Sequence, residues 1–295
     1  MTWQGVFPAI TTPFTPDLAV DHEFLGHHIG VMLDAGCLGL VPLGSLGEAN
    51  TLSHDEKREV LRTCVRAVGG RVPVVAGVSS MSTAEAIALA QDAERIGCQG
   101  LMVLPPYVYK GDWTETKAHF TSIIRATGLS CMLYNNPIAY GTDILPWQIA
   151  ELCEETNLHA VKESSGDIRR LAAIRELIGE RLALFVGIDD VIVEGIAAGA
   201  VGWIAGLVNA MPVESVELFE MAQGGSPKTR GLYEWFLPLL RLDTGPKFVQ
   251  LIKLVQQEVG LGSERVRPPR LEITGDERDV TLALIRKQIA VGPPR

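Results

Sequence analysis

Short apolar runs alternate with longer amphipathic segments through the first two thirds of the chain. Eight runs rich in aliphatic and β-branched residues are separated by stretches in which apolar residues recur with helical spacing. Each run is nearly continuously apolar, which is typical of parallel strands that helices cover on both faces. The pattern therefore predicts repeated β–α units. The runs lie at residues 5–14, 38–45, 72–80, 100–106, 130–137, 158–165, 182–190 and 199–209.

Eight β–α units favour a single closed (β/α)8 barrel, an α/β fold, over an open doubly wound sheet. An open sheet of that kind normally carries a Gly-x-Gly-x-x-Gly loop after its first strand, and this sequence has no such motif. After about residue 225 the strand pattern stops, and three further helices are predicted at 227–240, 246–259 and 276–290. We therefore expect a barrel over residues 1–224 and a C-terminal three-helix extension over residues 225–295.

Composition narrows the class of protein. The 295 residues carry a formal net charge of −9, which argues against a partner such as nucleic acid or a phospholipid surface. No apolar run reaches the roughly 18–20 residues that a membrane span needs, and the N-terminus lacks the features of a signal peptide. The five widely spaced cysteines and six histidines form no metal-binding motif. We expect a cytoplasmic protein that binds no metal, no nucleic acid and no membrane.

Polar residues at the ends of the strand runs are the candidates for chemistry, because a barrel of this type places its site there. Lys162 ends the sixth run, and Tyr134 ends the fifth. A lysine that is desolvated in the barrel mouth loses part of its preference for the ammonium form, and the neutral amine can form a Schiff base. A single lysine at a strand end more often extends its amine to water. The neighbouring Tyr134, which can relay protons, favours the interpretation of Lys162 as a Schiff-base lysine.

The loop after the second run, G-S-L-G-E at Gly44–Glu48, is small and prone to turns. Its backbone N–H groups can bind a carboxylate, and the Ser45 hydroxyl can join a proton relay. An ordinary turn that leads into the next helix is the simpler interpretation of this loop alone. Asp189 and Asp190 are interpreted as N-cap residues of a helix.

Seven segments resemble the dihydrodipicolinate synthase/N-acetylneuraminate lyase family of Schiff-base (class I) aldolases. They occur in the family's order between about residues 5 and 210, and the three C-terminal helices resemble the family's appendage. Each segment alone is weakly specific, but together they are a strong match. The segments are F-P-A-I-T-T-P-F, G-S-L-G-E, L-P-P-Y, Y-N-N-P, V-K-E-S-S, G-I-D-D and G-A-V-G-W-I-A.

The resemblance implies a role for each matching position. Lys162 corresponds to the lysine that forms a Schiff base with a 2-oxo acid, Tyr134 to the tyrosine of the proton relay, and Ser45 to the hydroxyl residue that joins it. No metal or organic cofactor is implied, and such enzymes are usually homotetramers built as a dimer of dimers. The implied substrate-binding positions are Gly44, Leu46, Gly47, Gly187 and Ile204, and we add Tyr107 and Tyr140 as candidates from the residues that depart from the family.

Three positions depart from the family pattern. Leu46 replaces the second hydroxyl residue of the loop. Val108 replaces a tyrosine that crosses a subunit interface in the synthases. Either Tyr107 or Tyr109 must therefore substitute for that tyrosine, or the proton relay is different. Ala139 stands where the synthases carry an arginine that binds the carboxylate of the second substrate, and a methyl group cannot do so. The extended loop 138–143 offers Tyr140 and Thr142 instead, which suits a more neutral substrate tail.

These features predict a Schiff-base-forming lyase that acts on a 2-oxo acid or a cyclic imine carboxylate and is not the lysine-pathway synthase. The most specific hypothesis is dehydration and deamination of Δ1-pyrroline-4-hydroxy-2-carboxylate, a branch whose motifs this chain resembles. A pyruvate-dependent aldolase and a 2-keto-3-deoxy sugar-acid dehydratase are alternatives. A non-catalytic barrel that binds a 2-oxo acid is an alternative of another class.

Overall fold

A curved parallel sheet of seven strands forms the centre of the molecule. The computed structural model describes residues 1–107 and 109–294, and in this part of the chain every strand pair is parallel. The strands are neighbours in the order β1-β7-β6-β5-β4-β3-β2, which confirms the predicted α/β class. Their bounds are β1 Gly5–Pro8, β2 Val75–Val78, β3 Gly100–Val103, β4 Ser130–Asn135, β5 Leu158–Glu163, β6 Ala183–Val186 and β7 Gly202–Ala205.

The second predicted run is not a strand of this sheet, so the prediction of eight strands is not met as stated. Leu40 and Val41 form only isolated parallel bridges, one to Val74 and one to Ala9. The next residue, Pro42, has no N–H to continue a ladder, although its carbonyl accepts a bond from Gly77. The segment nevertheless lies between β1 and β2, the two strands at the ends of the sheet order.

Twelve α-helices follow or connect the strands in the described residues. Ser53 caps α2 in a reciprocal pair with Glu56, which satisfies two N–H groups at the helix start. The bounds are α1 His22–Asp34, α2 His54–Val68, α3 Thr83–Ile96, α4 Trp113–Arg125, α5 Pro137–Tyr140, α6 Pro146–Leu152, α7 Arg169–Ile178, α8 Ile192–Ala197, α9 Pro212–Gln223, α10 Thr229–Leu240, α11 Phe248–Glu258 and α12 Gly275–Val291. No helix of the described residues is long and apolar enough to cross a membrane.

Aromatic side chains fill the space enclosed by the sheet. Phe7 on β1 and Phe185 on β6 are fully buried, and their ring centroids lie 5.4 Å apart with an edge-to-face arrangement. Gly202 leaves room for them, since a Cβ there would lie 2.2 Å from the Phe185 ring. In the parallel register Phe185 pairs with Lys162, and Lys162 pairs with Tyr134. Paired residues of neighbouring strands point to the same face, so all three side chains enter the enclosed space.

Candidate active site

A cavity of about 540 Å³ opens at the carboxyl ends of the strands. It brings together nearly all of the residues that the sequence nominated, although they come from six separate parts of the chain. Those lining it are Gly44, Ser45, Leu46, Tyr107, Tyr134, Tyr140, Lys162, Gly187 and Ile204. Gly47 is the exception: it is not part of the lining, and its carbonyl accepts a hydrogen bond from the Thr12 hydroxyl at 2.6 Å.

Lys162 lies at the base of the cavity with only 6% of its surface exposed. Its Nζ stands 4.0 Å from the centroid of the Tyr134 ring. Burial lowers the pKa of Lys162 to about 8, while the negative fields of Asp243 and Asp189 oppose that shift. About a tenth of the Lys162 side chains therefore carry the neutral amine at pH 7, far more than for an exposed lysine, and the neutral amine is the form that attacks a carbonyl or imine carbon.

Gly187 gives the Lys162 side chain its space. A Cβ at this position would lie 2.4 Å from Cε of Lys162 and 2.0 Å from the Ser164 hydroxyl. Any side chain at this position would displace the lysine or the serine. The glycine, which the sequence nominated as a substrate-lining residue, thus also determines where the amine stands.

Tyr134 is 5% exposed, and burial raises the pKa of its phenol to about 12. The Asn136 side-chain amide donates a hydrogen bond of 3.0 Å to its oxygen. Tyr134 is therefore a protonated phenol whose O–H is available to an acceptor in the cavity, as a proton relay requires.

Tyr140 connects Tyr134 with the Ser45 loop. Its ring meets the Tyr134 ring edge to face with centroids 5.7 Å apart, and its hydroxyl is hydrogen-bonded to the Ser45 hydroxyl. Tyr107 lies on the other side of Tyr140, with centroids 6.0 Å apart, and its own hydroxyl donates to Asn50 at 3.1 Å. Three hydroxyl groups, those of Tyr134, Tyr140 and Ser45, thus line one wall of the cavity. The predicted loss of an aromatic side chain at Val108 falls outside the described residues.

The segment that carries Tyr140 is partly helical and not the extended loop that the sequence suggested. Pro137 begins the short helix α5, and the Asn136 side chain caps it by accepting from the Ala139 N–H at 3.0 Å. Beyond the helix, Arg170 holds Asp143 through two hydrogen bonds of 2.6 and 2.7 Å. These contacts hold the Tyr140 segment over the cavity.

The Gly44–Glu48 loop has backbone N–H groups without an acceptor in the described chain, and its end is anchored by an ion pair. Among the described residues, no group accepts a hydrogen bond from the backbone N–H of Ser45 or Leu46, so both can bind a carboxylate. At the loop's end, Glu48 adopts a left-handed backbone conformation and its buried carboxylate lies 2.5 Å from the Lys253 Nζ on α11. The N–H of Arg267 also donates to Glu48 at 3.0 Å. The C-terminal part of the chain therefore holds the loop in place.

Asp189 does not cap the short helix that begins at its own position, as the sequence interpretation had it. Its fully buried carboxylate accepts hydrogen bonds from the Trp203 indole at 2.9 Å and from the N–H groups of Gly206 and Leu207 at 3.0 and 2.7 Å. Burial raises its pKa to about 6 despite these donors. The residue therefore joins the end of β6 to the end of β7.

Two charged lining residues were not found by the sequence reasoning. Asp243 comes from the connection between α10 and α11, and Arg270 from the segment before α12. Both belong to the region expected to be a mere appendage. No local motif marks either residue, because each reaches the cavity only through packing of the C-terminal helices against the strand ends.

Nearly the whole chain is similar to one family of known proteins. A family model described as the dihydrodipicolinate synthetase family matches residues 2–288. The chain is 35% identical over 290 residues to the 4-hydroxy-tetrahydrodipicolinate synthase of Methanopyrus kandleri, covering 96% of each chain.

Solved structures with similar names have the same fold as this chain. The 4-hydroxy-tetrahydrodipicolinate synthase of Methylacidiphilum fumariolicum SolV superposes with a TM-score of 0.92 at 28% identity, covering 98% of both chains. The chloride-inhibited dihydrodipicolinate synthase of Acinetobacter baumannii, solved in complex with pyruvate, superposes with a TM-score of 0.91 at 27% identity, covering 97% of this chain and 99% of that one.

Proposed function

The chain belongs to the dihydrodipicolinate synthetase family of Schiff-base lyases, and from this premise we propose that Lys162 forms a Schiff base with a 2-oxo acid or a cyclic imine carboxylate. One observation supports this proposal above all others: a desolvated amine stands 4.0 Å from the ring of a protonated tyrosine at the base of a cavity. The free N–H groups of Ser45 and Leu46 suit the substrate carboxylate. Ile204 and Gly187 provide the wall beside the reacting carbon.

The specific reaction that we propose is the deamination of Δ1-pyrroline-4-hydroxy-2-carboxylate. The Lys162 amine attacks C2, the bond from C2 to the ring nitrogen breaks, and its electron pair stays on that nitrogen, which takes a proton. Loss of a proton from C3 and of the C4 hydroxyl as water leaves a double bond between C3 and C4, conjugated with the Schiff base. Movement of that double bond to C4 and C5, and then to an imine at C5, prepares the nitrogen for release.

Two water molecules complete the reaction. One hydrolyses the C5 imine to an aldehyde and ammonia, and the other hydrolyses the Schiff base and restores Lys162. In sum, one substrate and one water give 2-oxoglutarate semialdehyde and ammonia. The hydroxyl groups of Tyr134, Tyr140 and Ser45 lie where they can move the protons of these steps.

The synthase reaction itself is the second candidate, because the relatives at 35% identity carry that name. Against it stands Ala139, which leaves no guanidinium at the position where the synthase resemblance requires one. Leu46 likewise offers no side-chain hydroxyl to a carboxylate. We favour a substrate with one carboxylate for these reasons; a pyruvate-dependent aldolase and a sugar-acid dehydratase would share the same first step.

The assay that separates the two candidates supplies each substrate to the same enzyme preparation. We expect ammonia and 2-oxoglutarate semialdehyde from Δ1-pyrroline-4-hydroxy-2-carboxylate, with turnover at least about 100-fold faster than from pyruvate plus aspartate semialdehyde. Ammonia is measured with a coupled dehydrogenase. Faster turnover of the second pair, or no ammonia from the first, would establish that the argument from Ala139 is wrong.

We further propose that Tyr140 is a member of the proton relay and replaces the tyrosine that Val108 does not provide. Tyr140→Phe removes only the hydroxyl that bonds Ser45, so kcat should fall by about 10- to 100-fold. Schiff-base formation with pyruvate, followed by borohydride trapping and mass measurement, should persist. Tyr109→Phe is the matched control, since this hydroxyl bonds Glu115 and its side chain is exposed. Equal losses in both variants would contradict the assignment.

The architecture completes the proposal. We propose that residues 38–42 serve as the eighth position of a (β/α)8 barrel over residues 1–224, since they bridge both end strands of the sheet. Residues 225–295 would then be its three-helix extension. A cytoplasmic homotetramer, arranged as a dimer of dimers, is the proposed assembly; exposed apolar side chains such as Leu271 and Val280 are available for association.

A further inference from the structure

Asp243 is a cavity-lining carboxylate that has no role in the proposed reaction steps. It ends a short 3₁₀ turn, Arg241–Asp243, between α10 and α11. Its Oδ1 lies over Gly206 at the carboxyl end of β7, so closely that a Cβ on that glycine would stand 2.2 Å away. The absence of a side chain at Gly206 therefore allows the carboxylate to reach the cavity.

The carboxylate has no partner of its own in the described part of the chain. No N–H or O–H group there donates a hydrogen bond to it, and no lysine or arginine nitrogen lies within 4.0 Å. Burial and the nearby Asp189 and Asp190 raise its pKa well above the ordinary value, while Lys162 opposes the shift. Asp243 is also the largest charge acting on Lys162, and its field reaches Tyr134. The side chain is partly exposed to the cavity, so a cationic ligand group there would supply the charged partner that the described residues do not provide.

Positive and negative groups therefore occupy different sides of the cavity. The free N–H groups of Ser45 and Leu46 favour the carboxylate at C1, and Lys162 takes C2. Arg270 adds a positive charge near Lys253, and Lys253 is bonded to Glu48 at the end of the same loop. Asp243 is the negative lining group on the β7 side of Lys162.

We propose that Asp243 determines specificity by binding an amine nitrogen on the tail of the substrate, the nitrogen that becomes a primary ammonium when the cyclic imine opens onto Lys162. This inference rests on the proposed Schiff-base function and names the substrate class more closely. An ammonium donates charge-assisted hydrogen bonds to a carboxylate, whereas a second substrate carboxylate would be repelled. The residue thus selects amine-tailed adducts and rejects dicarboxylates.

Three five-carbon ligands that differ only at C5 test the proposal. Δ1-Pyrroline-2-carboxylate carries an amine there after ring opening, 2-oxoglutarate a carboxylate, and 2-oxopentanoate a methyl group. Titration calorimetry on the full-length protein measures each Kd. We expect the wild type to bind the amine-tailed ligand about 10- to 100-fold more tightly than 2-oxoglutarate.

The variants then assign that preference to one residue. Asp243→Asn, which is isosteric and breaks no described hydrogen bond, should reduce the ratio of the two Kd values by about tenfold or more. Asp243→Glu should restore most of the ratio. Asp279→Asn on α12 removes the same charge from an exposed site and should leave the ratio as it is in the wild type.

Two outcomes would overturn the proposal. One is a wild type that binds 2-oxoglutarate as tightly as the amine-tailed ligand, which would mean that a protonated Asp243 accepts a dicarboxylate. The other is an Asp243→Asn variant that weakens all three ligands by the same factor, as a merely structural role would. Borohydride trapping with pyruvate is run in parallel: if it labels Lys162 while the ratio does not change, this inference fails alone, and if it labels nothing, the proposed function fails with it.

Discussion

Lys162→Met is expected to abolish covalent trapping and to reduce turnover by at least about 10⁴-fold, because it removes the nucleophile and leaves the cavity intact. The lysine forms no hydrogen bond with the described residues, and methionine fills nearly the same volume beside Gly187. The fold should therefore be preserved, and circular dichroism checks this. The measurement is the mass of the protein after incubation with pyruvate and borohydride.

A second buried lysine provides an internal control for this result. Burial also lowers the pKa of Lys253 to about 8, but this amine is bonded to Glu48 and to the carbonyls of Thr12 and Arg265. Peptide mapping of the trapped wild type should place the adduct at Lys162 and leave Lys253 unmodified. An adduct that persists in Lys162→Met, or that maps to Lys253, would disprove the assigned nucleophile.

The pH dependence of trapping has a definite sign. The neutral amine reacts and the ammonium does not, so the rate should rise with pH and level off above about pH 8, the pKa of Lys162. An exposed lysine would still gain reactivity up to about pH 10.4.

Lys253→Met is expected to cost about 3–5 kcal/mol in the free energy of unfolding, the largest stability effect that we predict. Lys253 and Glu48 have side chains exposed by only 2% and 0%. Removal of the lysine leaves a buried carboxylate whose described donor is the Arg267 N–H, together with two unpaired carbonyls. For a domain of this size the midpoint of thermal unfolding should fall by roughly 10 °C.

Three further variants make this prediction specific: Lys247→Met, Glu48→Gln and the double variant Glu48→Gln/Lys253→Met. Lys247→Met breaks the exposed pair with Glu277 and should cost no more than about 1 kcal/mol. In the double variant Glu48→Gln/Lys253→Met neither charge of this pair remains, so the loss should be smaller than the sum of the losses in Glu48→Gln and Lys253→Met. Urea unfolding measures the stability of the wild type and of all four variants. Additive losses, or an equal loss in Lys247→Met, would show that the buried pair has no special role.

Local patterns in the sequence predicted the parts of this molecule that local physics determines. Seven of the eight apolar runs contain a strand, because a strand covered on both faces needs a continuous apolar segment. The run at 38–45 did not form one, since Pro42 interrupts the hydrogen-bond ladder. Lys162 and Tyr134 were identified because each ends its own run, and the parallel register then places them side by side.

Residues that reach the cavity from distant segments could not be found in this way. Asp243 and Arg270 line the cavity, and Lys253 holds its loop through Glu48. All three lie on helices or connections whose positions depend on packing against the strand ends, and no spacing in the chain encodes that packing. The hydrogen bond between Tyr140 and Ser45 joins residues 95 positions apart. The sequence suggested Tyr140 for a more neutral tail of the substrate, and its contact with Ser45 became visible only in three dimensions.

The Glu48–Lys253 pair also has a consequence for the protein during its synthesis. During synthesis Lys162, the proposed nucleophile, emerges long before Asp243, Lys253 and Arg267, the residues that support the loop and complete the cavity wall. A nascent chain that stops at about residue 240 would carry a reactive amine without the enclosure that directs its chemistry. We therefore expect the proposed activity to require the last fifth of the polypeptide, which supplies Asp243, Lys253 and Arg267.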